Sequence, residues 1–265
     1  MIGEIFNTFL VNPLFNFLVL FYKLFGNNMG LAIIAASLFV KVISFPLTHS
    51  SLKTMQKQKG LTGKLNELKA KYGHDKKKLS EEQLKLYKEA GINPASGCLM
   101  QIFPILVIIA FYSVVNHVFG ANALSISDIN LRLYFPFLKL VEGSVINPNF
   151  LYLNLSKPDH LFILPVLAAL LQFLTSKMMM PAIEKAEKLA KKTEDTKDDV
   201  MYNVQGQMLY TMPIIFLIVG IKLPSGVVLN IVVTTIFSMV QQYFVSGFGG
   251  LVPWMKKLKL LKDVK

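Results

Sequence analysis

Five stretches of this 265-residue chain, residues 29–47, 98–119, 161–180, 205–221 and 223–246, are apolar and contain no aspartate or glutamate. A hydrocarbon core of roughly 30 Å is crossed by about 17 to 25 helical residues. Because lipid cannot satisfy free backbone groups, an open segment crosses it only as a helix. Apolar residues make up 53% of the chain and charged ones only 17%, well under the roughly one quarter of a soluble domain. A water-soluble globule is excluded, and the expectation is an all-α membrane protein with five transmembrane helices.

The segments between the spans set the orientation. Residues 51–97 carry 11 Lys, 177–207 carry 6 and 249–265 carry 5, whereas 1–28, 120–160 and Lys222 together hold five cations. Lysine and arginine excess marks cytoplasmic loops. This predicts 51–97, 177–207 and the C-terminus in the cytoplasm and the N-terminus outside.

Residues 1–27 are apolar too, but Glu4 precedes the apolar run and Lys23 follows it, the wrong order for a secretory signal. Phe6, Leu10, Leu14, Phe17 and Phe21 fall on one helical face, which predicts an interfacial helix on the outer surface; a sixth span is the competing reading. Cys98 is the sole cysteine, so neither a disulfide framework nor a cysteine-ligated metal is available.

In 51–97, Leu61, Leu65, Leu68 and Tyr72 recur at helical spacing, and Gly73-His74-Asp75 breaks the pattern. A second helix is expected to open at Ser80, with Gln83 closing a capping box, and to end before Gly91 and Pro94. The result is a lysine-coated cytoplasmic hairpin, either a solvated loop that fixes topology or a docking surface for ribosome, substrate or anionic lipid.

Polar residues recur at helical spacing inside the spans. Ser37, Lys41, Ser44 and Thr48 form a stripe on the first; Gln101 and Tyr112 share a side of the second; Gln172, Thr175 and Ser176 cluster on the third. Gln207, Tyr210 and Thr211 do so on the fourth, and Asn230, Thr234, Ser238 and Gln241 on the fifth. Polar groups facing lipid are costly, so stripes on this many helices predict convergence on a hydrophilic groove; a single Ser or Thr can instead bond its own helix or a neighbour. Lys41 stands out, because a lysine inside a membrane helix costs about 2.5 to 3.5 kcal/mol on insertion scales. No span supplies a carboxylate to pair with it. Either its stem snorkels to the headgroups or its ammonium sits in a wet cavity open to the cytoplasm.

These residues carry a resemblance. The first span ends in a cation and Pro46-Leu47; then come Lys71-Tyr72, Leu86-Tyr87-Lys88-Glu89, Asn93-Pro94, Gly97-Cys98 and Gln101-Ile102-Phe103-Pro104. Leu164-Pro165, Leu223-Pro224-Ser225-Gly226 and Ser238-Met239-Val240-Gln241-Gln242 follow in order. Together they resemble the YidC insertase family, with its mitochondrial oxidase-assembly and chloroplast albino relatives, in its compact form. The resemblance implies five spans around a groove open to cytoplasm and lipid but closed outside. It also implies a mobile cytoplasmic hairpin, an outer amphipathic helix, and insertion of short or single-span membrane proteins, alone or beside the Sec translocon, without nucleotide, cofactor or covalent chemistry. The implied partners are nascent membrane proteins, the Sec translocon and the ribosome. The family's groove cation, usually arginine, corresponds to Lys41. Asn230-Ile231 stands where many relatives have an aromatic pair.

Two other classes compete. A small transporter or channel would also need polar stripes, but no half of the chain mirrors the other. An intramembrane hydrolase would rest on Ser44 and Lys41 alone, since His49, His74, His117 and His160 are scattered without metal-binding spacing. The basic tail with Trp254 fits anionic lipid or, through phosphate charge, ribosomal RNA.

Overall fold

The computed structural model describes residues 2–91, 95–120, 123–179 and 200–258; side chains at 2, 55, 58, 59, 62, 66, 69, 76, 95–101 and 200–208 are outside the description. The chain is mostly helical and divides into two compact units. The first comprises residues 1–44, 103–172 and 212–238, the second 45–102, 173–211 and 239–265.

The N-terminal segment is one bent rod: α1 (Ile2–Phe6), a π-helical turn (Asn7–Val11) and α2 (Asn12–Leu24). Pro13 sits in the first turn of α2; it lacks an N–H, and the wide turn ahead of it takes up the mismatch. That turn adds a residue to the helical count and rotates everything after it. The buried stripe is therefore Val11, Leu14, Phe15, Leu18, Val19 and Tyr22, not the face expected from uninterrupted periodicity. Of the expected set, Phe6, Leu10 and Phe21 pack at the edge of the core, and the Phe17 ring packs tilted against Phe39, with centroids 4.4 Å apart.

Next come α3 (Met29–Gly60), α4 (Thr62–Tyr72), α5 (Lys76–Glu89), α6 (Ala95–Phe119) and α7 (Ile126–Arg132). A two-stranded antiparallel hairpin, β1 (Asn149–Phe150) with β2 (Leu153–Asn154), leads to α8 (Ile163–Met179), α9 (Val200–Lys222), α10 (Ser225–Ser246) and α11 (Val252–Lys257). Among the described residues, four helices are long and apolar enough to cross a membrane: Gly3–Leu24, Met29–Thr54, Ile102–Phe119 and Ser225–Ser246. The stretches expected at 161–180 and 205–221 are apolar helices over their described parts, Ile163–Met179 and Leu209–Lys222. The segment expected to lie flat, Gly3–Leu24, thus has the length and hydropathy of a span.

In the first unit an apolar core joins α2, the N-terminal part of α3, α6, α8, α10 and the loop between α6 and α8, with Phe15, Ile33, Phe111, Ile129, Leu155 and Val228 at its centre. Residues 123–160 form a cap over this core. Phe150 lies directly on Gly30, where any Cβ would fall inside its ring. Backbone amides of Ser225 and Gly226 donate to Lys157 O (2.7 Å) and Leu155 O (3.1 Å), and Ser225 Oγ donates to Asn154 O. Asp159 is buried and accepts from Leu161 N, Leu164 N and the Tyr152 hydroxyl; burial and this carboxylate together push the Tyr152 phenol's pKa up.

In the second unit α4 and α5 pair as a hairpin. The cap of α5 is Asp75, whose Oδ1 accepts from Lys78 N at 3.1 Å. Ser80 lies within the helix, so the expected box of Ser80 and Gln83 does not form; Asp75 is the better cap because its backbone is extended (φ −121°, ψ 91°) and its carboxylate reaches the first free amides. In the same unit Trp254 of α11 packs on Phe173, with Lys177 over its indole ring.

Two outcomes follow from this packing. Gly30→Ala forces Phe150 off α3 and lowers unfolding stability in detergent by about 1–3 kcal/mol, part of which Phe150→Ala restores in the double variant. Asp75→Ala speeds amide exchange at 76–79 roughly fivefold, as expected for loss of about 1 kcal/mol of capping, whereas Ser80→Ala leaves it unchanged.

Candidate functional site

The polar stripe of α3 meets that of α10 within the first unit. Lys41 Nζ donates to Ser238 Oγ at 2.7 Å, and Asn230 Nδ2 donates to Ser37 Oγ at 2.7 Å. The pairs 37 with 230 and 41 with 238 rise together in number, so the two helices run parallel. Ser37 and Asn230 are fully buried, Ser44 is buried and Lys41 half-buried. On its lipid-exposed flank α3 carries Leu38, Val42 and Ile43.

The hydroxyls share a habit. Ser37 donates to Ile33 O, Ser44 to Val40 O, Thr234 to Asn230 O and Ser238 to Thr234 O, at 2.6–2.8 Å, each to the carbonyl one turn back. With its one proton committed to the backbone, each hydroxyl offers its neighbours only lone pairs. The stripe is therefore a row of acceptors, and Lys41 and Asn230 are the side chains that donate across it. Asn230 Oδ1 is buried and finds no donor among the described residues.

Other expected groove residues distribute differently. Tyr112 is exposed and lines a separate hollow with Phe6, Asn7, Asn116 and His117. Gln172 is half-buried on α8 in the first unit. Thr175 is buried, and Tyr210 is exposed with its ring 6.2 Å from Phe173; both belong to the second unit. There Thr48 and Gln241 also hydrogen-bond. Gln101 and Gln207 fall outside the residues whose side chains are described. Thr235 and Gln242 are buried polar residues on α10 that the periodicity argument passed over; both lie one position beyond the Asn230–Gln241 spacing. Asn16 is buried, donates to Arg132 O (3.1 Å) and accepts from Tyr134 N (2.7 Å). The Ser44 hydroxyl donates to backbone carbonyls while the Lys41 ammonium is held by Ser238, which is not the arrangement of a nucleophile and its base. Among the described residues, no three His, Cys, Asp or Glu side chains gather where they could hold a metal ion.

The family model described as 60Kd inner membrane protein matches residues 20–249. The chain belongs to this family. Within the 60Kd inner membrane protein family, it is 27% identical to membrane protein insertase YidC 2 of Listeria innocua, over 90% of this chain and 71% of that one. It is 28% identical to the YidC of Fusobacterium nucleatum over 84% of this chain and 88% of that one. With the YidC of Cellvibrio japonicus it shares 31% identity over 89% of its own length but only 36% of that relative. A crystal structure of an active YidC insertase, with its first transmembrane domain resolved, shares the fold at a TM-score of 0.54 and 24% identity, over 88% of this chain and 46% of that one.

Lys41 has a hydroxyl where a buried cation would need a carboxylate, so Lys41→Met leaves the unfolding midpoint in detergent unchanged or raises stability by up to about 2 kcal/mol. Ser238→Val, which strands the ammonium, lowers it by about 1–3 kcal/mol.

Proposed function

We propose that this chain is a membrane protein insertase of the bacterial plasma membrane, and that the facing stripes of α3 and α10 are the wall along which a client's polar tail passes. The observation that carries this reading is the Lys41 ammonium held by Ser238 inside an apolar helix pair that the 149–157 segment caps at one end. One sealed end and one cationic, half-buried site fit a groove that admits water from one leaflet only. Ser37, Ser44, Gln101, Tyr112, Gln172, Thr175, Gln207, Tyr210, Asn230, Thr234 and Ser238 are the polar residues we assign to the client path, with Lys41 as its electrostatic centre. Tyr112 and the residues of the second unit would act at other stages of that path.

The topology we favour has five spans, with the N-terminus outside and the C-terminus in the cytoplasm. Parallel α3 and α10 support it, since a chain that crosses through α3, α6, α8, α9 and α10 in turn enters the first and last in the same direction. The N-terminal rod then lies outside, along the interface. The lysine-rich hairpin and tail face the cytoplasm, where nascent chains, the ribosome, the Sec translocon and anionic lipid are met.

The mechanism is electrostatic and geometric. Acceptor oxygens and the Lys41 charge hold water within one leaflet and shorten the apolar distance that a polar tail must cross. An acidic residue of the tail exchanges with Ser238 as the partner of Lys41, while the following apolar segment leaves sideways into lipid. Burial of that segment, at roughly 0.8 kcal/mol per CH₂, supplies the driving force. No nucleotide or cofactor is required by these steps.

In proteoliposomes, insertion of a single-span reporter with an acidic N-terminal tail retains most of its efficiency with Lys41→Arg and falls about tenfold with Lys41→Ala. It falls further with Lys41→Glu. Undiminished insertion by the Glu variant rejects the electrostatic role.

A further inference from the structure

The segment from Leu131 to Phe137 presents an unusual surface for a loop. Leu131 is 85% exposed, Phe137 65%, Tyr134 55% and Phe135 54%, and the rings of Phe135 and Phe137 stack at 5.5 Å. Leu24 and Phe25, where α2 ends, are exposed as well. An isolated exposed leucine needs no explanation, but a cluster of aromatics in one short stretch does.

Several backbone groups of the same segment are held from within. Asn16 takes Arg132 O and Tyr134 N; Asn130 pairs both ways with Leu140, to its carbonyl (2.9 Å) and from its amide (2.7 Å). The Lys23 ammonium donates to Phe137 O at 2.7 Å and Lys139 O at 2.6 Å. A 3₁₀ turn at Pro136–Leu138 uses two further backbone pairs, Leu138 N to Phe135 O and Lys139 N to Pro136 O. A loop in water has no need of this, because solvent satisfies its carbonyls. Irregular backbone survives at membrane depth only when protein groups replace that water.

Position agrees. Asn16 and Lys23 are seven residues apart on α2, about 10 Å at the helical rise, so the loop runs alongside the rod rather than standing above its end. The rod itself is apolar enough to sit in lipid. Apolar side chains outward, several backbone carbonyls bonded inward, and aromatic rings beside a lysine are the features of a polypeptide at the boundary between headgroups and acyl chains.

We infer that residues 131–137 form a lipid-embedded plate: together with α2 they lie in the headgroup and acyl boundary of one leaflet, with Leu131, Tyr134, Phe135 and Phe137 in contact with phospholipid. The plate anchors the cap that seals one end of the α3 and α10 pair, so the cap is held by the bilayer as well as by Ser225, Gly226 and Gly30. This reading stands whichever side of the membrane the loop occupies.

The test uses the full chain in phosphatidylcholine vesicles. Trp254, the only tryptophan, is replaced by Phe, and Leu131→Trp or Phe137→Trp supplies the probe; thermal unfolding in detergent checks that each variant is folded. Both probes are expected to emit to the blue of free tryptophan and to lose at least half their intensity in vesicles whose lipids carry bromine at carbons 6 and 7, with weaker quenching from bromine at carbons 11 and 12. Water-like emission with no quenching overturns the inference. So does blue-shifted emission without quenching, which would mean that protein, not lipid, covers the patch.

Discussion

A lysine ammonium must be solvated inside a helix that offers no carboxylate, and the rest of the structure's polar interior is arranged around that demand. Lys41 has one hydroxyl partner, Ser238, on the parallel helix α10. Ser238 can accept because its own proton is committed to Thr234 O. The repeated back-bonding of Ser37, Ser44, Thr234 and Ser238 turns ordinary hydroxyls into a row of oriented acceptors. A neutral row of this kind stabilises a cation without neutralising it. A carboxylate in the same place would close a buried ion pair that a client could open only at a cost of several kcal/mol.

That arrangement requires α3 and α10 to keep their register, and the register is set at the other end of the pair. Gly30 and Gly226 are where the cap comes closest: the Phe150 ring occupies the space of a side chain at 30, and Leu155 O lies 3.1 Å from where a Cβ at 226 would be. Ser225 then fixes the start of α10 through its amide and its hydroxyl. The Leu-Pro-Ser-Gly motif, one of those that carry the family resemblance, is thus the joint between a helix start and the loop that covers it.

The elements were legible where periodicity and side-chain chemistry act locally. The apolar runs, the helical hairpin and the stripes that bring Ser37 to Asn230 and Lys41 to Ser238 all follow from 3.6-residue spacing and the cost of polar groups in lipid. What was not legible depends on single local events or on distant partners. One π-helical turn before Pro13 re-phases the N-terminal rod and moves its buried face to Val11, Phe15, Leu18 and Tyr22. Asp75 takes the cap from Ser80 because of a backbone angle that no spacing rule encodes. Asn16 acquires its role only through the distant loop it holds, and Tyr112 opens onto a hollow with Phe6, Asn7, Asn116 and His117.

The substitution of lysine for the arginine implied by the family resemblance also acquires a physical reading. A guanidinium presents a planar fork suited to two coplanar oxygens, whereas an ammonium is a compact point charge with three donors. The wall opposite Lys41 offers single hydroxyl oxygens spaced along a helix, Thr234 one turn before Ser238, and no fork of paired acceptors. A point charge loses little by moving from one such oxygen to a carboxylate that passes, or to water. A bidentate cation on the same wall would leave part of its donor set unmatched. The acceptor row and the choice of cation are therefore matched, and in the proposed mechanism that match is what makes pairing with acidic groups transient rather than fixed.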